Sequence, residues 1–145
     1  IFMKNHLEDV ILFQIEKTSK ISKIYSQREF DRVGLNLTVD QWILLKIIQE
    51  QQPISQKDLA KKSLRDPASI TRTLDLLQKK ELIVRQSIPD NRRQYDLKLT
   101  PKGDKLINKN MKMVKEHRQR SIQDFTEDEL NQLNRLLIKI QENMK

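Results

Sequence analysis

Asp66-Pro67-Ala68-Ser69-Ile70-Thr71-Arg72-Thr73-Leu74, followed by Pro89-Asp90-Asn91-Arg92-Arg93, is the pair of stretches on which the fold turns. Asp66 is a side-chain acceptor one residue before a proline. That is a helix start: the carboxylate caps an orphan N–H, and Pro67 misses no bond in the first turn. Ile70, Leu74 and Leu77 follow at i, i+4 and i+7, one buried stripe. Ala68, Ser69, Thr71 and Arg72 are left on or near the free side. The second stretch combines Pro, Asp and Asn with two adjacent arginines and reads as a hairpin tip.

Working outward, Ser55-Gln56-Lys57-Asp58 has the capping-box pattern and opens a short helix to about Leu64, with Leu59 and Ala60 facing inward. Two short helices joined by a three- or four-residue turn form a helix-turn-helix. On the other side, Leu82 to Ile88 and Tyr95 to Thr100 are β-prone. Tyr95, Leu97 and Leu99 alternate with Asp96, Lys98 and Thr100, the period of a half-buried strand. Thr38-Val39-Asp40-Gln41 caps a helix that is apolar on nearly every side, from Trp42 to Ile48, and so the most buried one. Neither Gly nor Pro occurs from Lys4 to Val33, which predicts one long helix stopped near Gly34. Thr100-Pro101 starts a further helix to about Ser121. Thr126-Glu127-Asp128-Glu129 caps a last one, with Leu130, Leu133, Leu137, Ile140 and Met144 on one seam.

The fold class expected is therefore mainly α with a small β-hairpin wing, a winged helix-turn-helix flanked by N- and C-terminal helices. Composition agrees. A chain of 145 residues with 33% charged residues, 5% aromatics, 2 Gly and 4 Pro favours solvated helices in a single domain. The absence of Cys excludes disulfides and thiolate metal sites and fits a cytoplasmic location. No apolar run approaches the roughly 20 residues of a membrane span, and no signal-peptide pattern is read. His6 and His117 stand apart from any Asp/Glu cluster, so no metal is expected. No Gly-rich phosphate loop, Ser/His/Asp set or HExxH occurs, so neither an enzyme nor a cofactor is expected.

Charge points to a polyanion. The net charge is +8. Between Ser55 and Thr100 there are 11 Lys/Arg against 6 Asp/Glu, a difference of +5, so most of the excess sits in under a third of the chain. Small residues let a helix end approach base edges, hydroxyls bond phosphates or bases, and Arg grips guanine with two bonds. The helix N-terminus adds free N–H groups for phosphate. Arg92 and Arg93 suit a narrow minor groove, with Asp90 placed to hold Arg92 in direction. A solvated, well-capped helix end and an ordinary polar turn are the plainer readings of each feature alone; their joint order is more specific.

The arrangement resembles the MarR (multiple antibiotic resistance) family of winged-helix regulators. The matching residues are Leu37-Thr38-Val39-Asp40-Gln41-Trp42, Ser55-Gln56-Lys57-Asp58-Leu59-Ala60, and Ser69-Ile70-Thr71-Arg72 with Leu74 and Leu77. Leu82-Ile83-Val84-Arg85, Asp90-Asn91-Arg92-Arg93 and Leu99-Thr100-Pro101-Lys102-Gly103 complete the set. The resemblance spans essentially the whole chain. It implies a homodimer on a near-palindromic double-stranded operator, with dimerisation helices at 1–34 and 101–145 and a DNA-binding lobe at 38–100. A two-fold dimer carries +16 (2 × 8) and sets its half-sites roughly 34 Å apart. The DNA-binding residues implied are Ser55, Gln56, Pro67, Ala68, Ser69, Thr71, Arg72, Arg92 and Arg93, with Asp66 and Asp90 capping and orienting. The family typically senses small molecules in a cleft beside the dimer helices, where Tyr25 and Trp42 are candidate lining residues. One position departs from the family. Glu81 stands where Gly usually precedes the first wing strand, at a cost of roughly 1 kcal/mol if left-handed. Either Glu81 is strained or the helix ends differently.

The function expected is a dimeric sequence-specific transcription regulator, a repressor released by a small-molecule effector. The alternatives are a helical protein–protein adaptor whose winged fold does not read DNA, and a non-specific DNA-coating protein.

Overall fold

The structure is a computed structural model that describes residues 6–145, without the side chain of Arg92. A 3-10 turn at Leu7–Asp9 precedes α1 (Ile11–Arg32), α2 (Val39–Gln51), β1 (Ile54–Ser55), α3 (Gln56–Ser63) and α4 (Pro67–Lys79). Then come β2 (Ile83–Ile88), β3 (Asn91–Leu99), α5 (Pro101–Ser121) and α6 (Glu127–Asn143). Six α-helices and one small antiparallel sheet among the described residues make the mainly helical, winged fold that the sequence predicts. No helix of the described residues is long and apolar enough to cross a membrane. The chain forms two compact units, Ile1–Met111 and Lys112–Lys145, divided within α5.

The first unit holds the core. Leu44, Leu45 and Ile48 of α2, Leu59 of α3, Ile70, Leu74 and Leu77 of α4, Ile83 of β2 and Leu97 of β3 are all buried. Their burial follows from amphipathic spacing: each short helix contributes one apolar stripe, and the sheet contributes one face. In the second unit no residue of α6 is buried. Leu133, Leu136, Ile138 and Met144 are 46%, 41%, 46% and 62% exposed.

Local signals account for most helix ends. Thr38 and Gln41 form the reciprocal capping box, and so do Thr126 and Glu129. Thr100 Oγ1 accepts from Gly103 N at 3.0 Å, the cap of α5. Ser55 makes only half a box. Its hydroxyl accepts from Asp58 N at 3.0 Å, and no return bond forms, since Asp is one methylene shorter than the Glu or Gln the motif uses.

Four expectations are corrected. The first helix does not run unbroken from Lys4. Lys4 itself lies outside the described residues, but Val10 is extended and α1 begins at Ile11. The Gln14 side chain bonds the Glu8 carbonyl at 2.8 Å, a side-chain contact that apolar spacing does not reveal. Secondly, β3 is longer than its alternating part, so the hairpin tip is only Pro89-Asp90, with Asp90 left-handed at φ 68°. Arg92 and Arg93 therefore belong to β3. They lie in a bulge, because Ile88 pairs with Asn91 while Ser87 already pairs with Tyr95. Thirdly, Tyr95 shares the face of buried Leu97 by register but is itself 39% exposed, next to the bulge. Fourthly, the sheet has a third strand, β1, with Ile54 opposite Leu97; two residues are too few to show a period.

Glu81 is left-handed, at φ 62°. Glu81 N bonds Gln78 O at 2.9 Å and Leu82 N bonds Leu77 O at 3.0 Å, the paired bonds that close a helix through a left-handed residue. Helix α4 thus ends in a left-handed cap of the kind that usually takes Gly, here built on Glu81.

Candidate nucleic-acid interface

The N-terminus of α4 is built as its sequence dictates. Asp66 Oδ1 accepts from Ser69 N at 2.9 Å, and Pro67 occupies the first turn. Burying Ile70, Leu74 and Leu77 turns Pro67, Ala68, Thr71 and Arg72 to solvent, with Ser69 half-buried. Leu64, in the left-handed conformation at the end of α3, supplies the turn between α3 and α4. It is 94% exposed.

A cleft of about 730 Å³ opens between α3, the start of α4 and the wing. Lys57, Lys61, Arg65, Arg85 and Arg93 line it, and no carboxylate does. Gln56, Pro67, Thr71 and Arg93 of the expected contact set meet there. Ala68, Ser69 and Arg72 lie outside it. The Arg92 side chain lies outside the described residues. Ser55 is engaged as the α3 cap. Tyr25 is half-buried on α1, and Trp42 is 3% exposed with its ring edge-on to Phe30, centroids 5.7 Å apart. Neither lines this cleft.

The polar groups divide into engaged and free. Gln56 Nε2 donates to Thr71 Oγ1 at 2.9 Å, and Thr71 Oγ1 donates to Pro67 O at 3.0 Å. Among the described residues, the guanidinium groups of Arg72 and Arg93 and the hydroxyl of Ser69 take part in no hydrogen bond or ion pair. These free donors can meet an anion or a base edge without losing an internal bond.

Sequence reasoning missed Arg85. It extends from β2 to α4, where Nη1 pairs with Asp75 Oδ1 at 2.7 Å and Nη2 donates to Thr71 O at 3.3 Å. Strand alternation could have found it. Arg85 lies two residues after buried Ile83, on the same sheet face, where a cation needs a partner. Arg65 also has a structural duty. Together with Lys23 of α1, at 3.4 Å, it pairs with Asp40 of α2. Burial pushes the Asp40 carboxyl up, but the Arg65 hydrogen bond and the Arg65 and Lys23 charges outweigh it and hold the group below the ordinary Asp value.

A sequence profile of the MarR family matches residues 37–95, which contain α2, the helix-turn-helix and most of the wing. The solved structure of MarR is 29% identical, covers 93% of this chain and 98% of its own, and superposes with a TM-score of 0.75. MepR of S. aureus, solved as a DNA complex, is 22% identical over 92% of this chain and 98% of its own, TM-score 0.82. BpsR of Bordetella bronchiseptica, solved in a study of how 6-hydroxynicotinic acid regulates its DNA binding, is 20% identical over 95% of this chain and 97% of its own, TM-score 0.84. The last two likenesses are of fold alone. Profile, whole-chain similarity and winged architecture agree: residues 37–95 are a MarR-family domain, in a chain that has the MarR winged-helix fold over nearly its whole length.

Proposed function

We propose that this chain is a homodimeric, sequence-specific double-stranded-DNA-binding transcription regulator, a repressor released by a small-molecule effector. The observation that carries the reading is the capped N-terminus of α4. It presents the free Ser69 hydroxyl and Arg72 guanidinium, with exposed Pro67 and Ala68, beside a cleft whose charged lining residues are all cationic. Ala68, Ser69 and Arg72 read the major groove, and Arg92 and Arg93 of the wing enter the minor groove. Ser55, Gln56, Pro67 and Thr71 complete the surface, while Asp66 and Asp90 cap and turn the backbone. Residues 38–100 serve as the DNA-binding lobe and 1–34 with 101–145 as dimerisation helices. The exposed Ile11, Leu12, Ile21 and Ile24 of α1 and the exposed apolar residues of α6 are the surfaces a second copy would cover.

The MepR–DNA complex and the ligand-regulated BpsR, both of this fold, support the DNA and effector parts of the reading. Tyr25 and Trp42 stay the candidate effector-side residues. The protein acts as a regulator, not as an enzyme, and works in the cytoplasm, where its operator lies.

The test is selection of duplexes from a random pool, followed by titration of the selected operator. Arg72→Ala should lose roughly 1–3 kcal/mol and relax base preference at one position. Equal binding of selected and random DNA at physiological salt would show a non-specific coating protein. No salt-dependent DNA binding at all would show an adaptor.

A further inference from the structure

We infer that Gln56, Thr71, Arg85 and Asp75 form a positioning latch that locks the wing to the recognition helix, and that Thr71 holds this geometry rather than reading DNA. The inference rests on the DNA-binding role proposed above.

The chemistry of Thr71 is decisive. A hydroxyl has one proton to donate. Thr71 gives its proton to Pro67 O at 3.0 Å and takes one from Gln56 of α3 at 2.9 Å. A phosphate oxygen only accepts, so Thr71 cannot bond phosphate without breaking its bond to Pro67 O. Its carbonyl is also taken, by Arg85 Nη2 at 3.3 Å. One residue thus receives a bond from α3 and another from β2.

Arg85 is the strut. Its side chain is 18% exposed and spans from the sheet to α4, with the second fork atom on Asp75 at 2.7 Å. Thr71 and Asp75 are one helical turn apart, so the planar guanidinium grips two successive rungs of the same helix face. Opposite Arg85 on β3 is Leu97, and the bulge that carries Arg92 and Arg93 begins two pairs further toward the tip. A strut at this place sets the angle of the wing. The separation between the major-groove donors on α4 and the wing arginines is then built in before DNA arrives, which removes an ordering cost from binding. Lysine cannot replace it, since a single ammonium on a flexible stem does not hold both acceptors in a fixed fork.

The experiment uses the full chain and a duplex that the parent protein selects from a random pool. Three quantities are read by fluorescence anisotropy: affinity, preference for A/T over G/C in the flanks beneath the wings, and base preference under α4. Arg85→Met should weaken binding about tenfold, within the worth of one specific contact. It should lose most of the flank preference and keep the preferences under α4. Arg85→Lys should not restore the flank preference. Thr71→Val should weaken all duplexes evenly. Retained flank preference in Arg85→Met, or loss of preference at a single base pair in Thr71→Val, overturns the latch. If Arg85→Met does not fold, Asp75→Asn, altered at an exposed position, should show the same loss of flank preference in smaller measure; an unchanged flank preference there overturns the latch as well. If the parent selects no sequence, the DNA reading itself has failed. Amide exchange then decides the latch: Arg85→Met or Asp75→Asn must speed exchange across β2 and β3, and unchanged exchange overturns it.

Discussion

Glu81, just past the end of α4, and Gly103, in the first turn of α5, are each constrained by backbone geometry. Glu81 is left-handed, a conformation that costs a residue with a Cβ about 1 kcal/mol or more. Its contact with Lys102, at 3.9 Å between two exposed side chains, returns little. Glu81→Gly should therefore raise stability by a few tenths to about 1 kcal/mol, read as a higher denaturant midpoint at unchanged slope. Gly103 is the opposite case. A Cβ there would lie 2.2 Å from the Leu82 carbonyl oxygen, which already accepts from Thr100 N at 3.0 Å. Gly103→Ala should destabilise by about 1–3 kcal/mol, despite alanine's better helix propensity, because backbone must move. A Gly103→Ala protein as stable as the parent would refute this close approach. The sequence showed both positions, but only as a missing glycine and a family glycine; the clash is visible only when the start of α5 lies against Leu82.

Between helices, the ionic node at Asp40 ties α2 to α1 through Lys23 and to the turn before α4 through Arg65. Its carboxyl is held below the ordinary Asp value, burial being outweighed by the two cations. A depressed carboxylate contributes stability above its unfolded pKa, and that contribution is lost as pH falls through the folded pKa. The parent should accordingly lose more thermal stability between about pH 5 and pH 2 than Asp40→Asn does, and the two curves should converge at the acid end. Parallel curves would show that the node contributes nothing. Asp40 was legible only as part of the Thr38-Gln41 capping box. Helix boundaries, by contrast, were read closely at Thr38, Asp66, Thr100 and Thr126, since a cap and its target lie three residues apart. Strand β3 was read short, because Asn91-Arg92-Arg93-Gln94 carries no apolar alternation, and of these only Asn91 has a partner across the hairpin, the rest forming the bulge.

For the protein as an assembly, the apolar residues of α6 matter most. Leu130, Leu133, Leu137 and Ile140 of the expected seam lie within α6, with Met144 at its C-cap, yet none of them is buried within the chain. The proposed homodimer predicts that Leu133→Asp combined with Leu136→Asp lowers the mass seen by light scattering at micromolar concentration toward that of one chain, 17.3 kDa. DNA affinity should fall with it, since two half-sites are no longer engaged together. A parent protein already monomeric at that concentration would contradict the dimer.

The order of helices, the helix-turn-helix, the existence of a wing and the cationic excess were all present in the linear chain. The helices and their caps rest on interactions three to seven residues apart, which periodicity records, and the wing showed as β-prone segments around a polar turn. Which polar groups remain free to meet DNA was not. Gln56 and Thr71 are 15 residues apart, and Thr71 and Arg85 are 14. From sequence, Thr71 and Arg72 are adjacent and equally polar. In the fold one is bonded on three sides and the other is open. Hydrogen-bond partners are chosen by proximity in space, which folding creates between segments whose local patterns say nothing of each other.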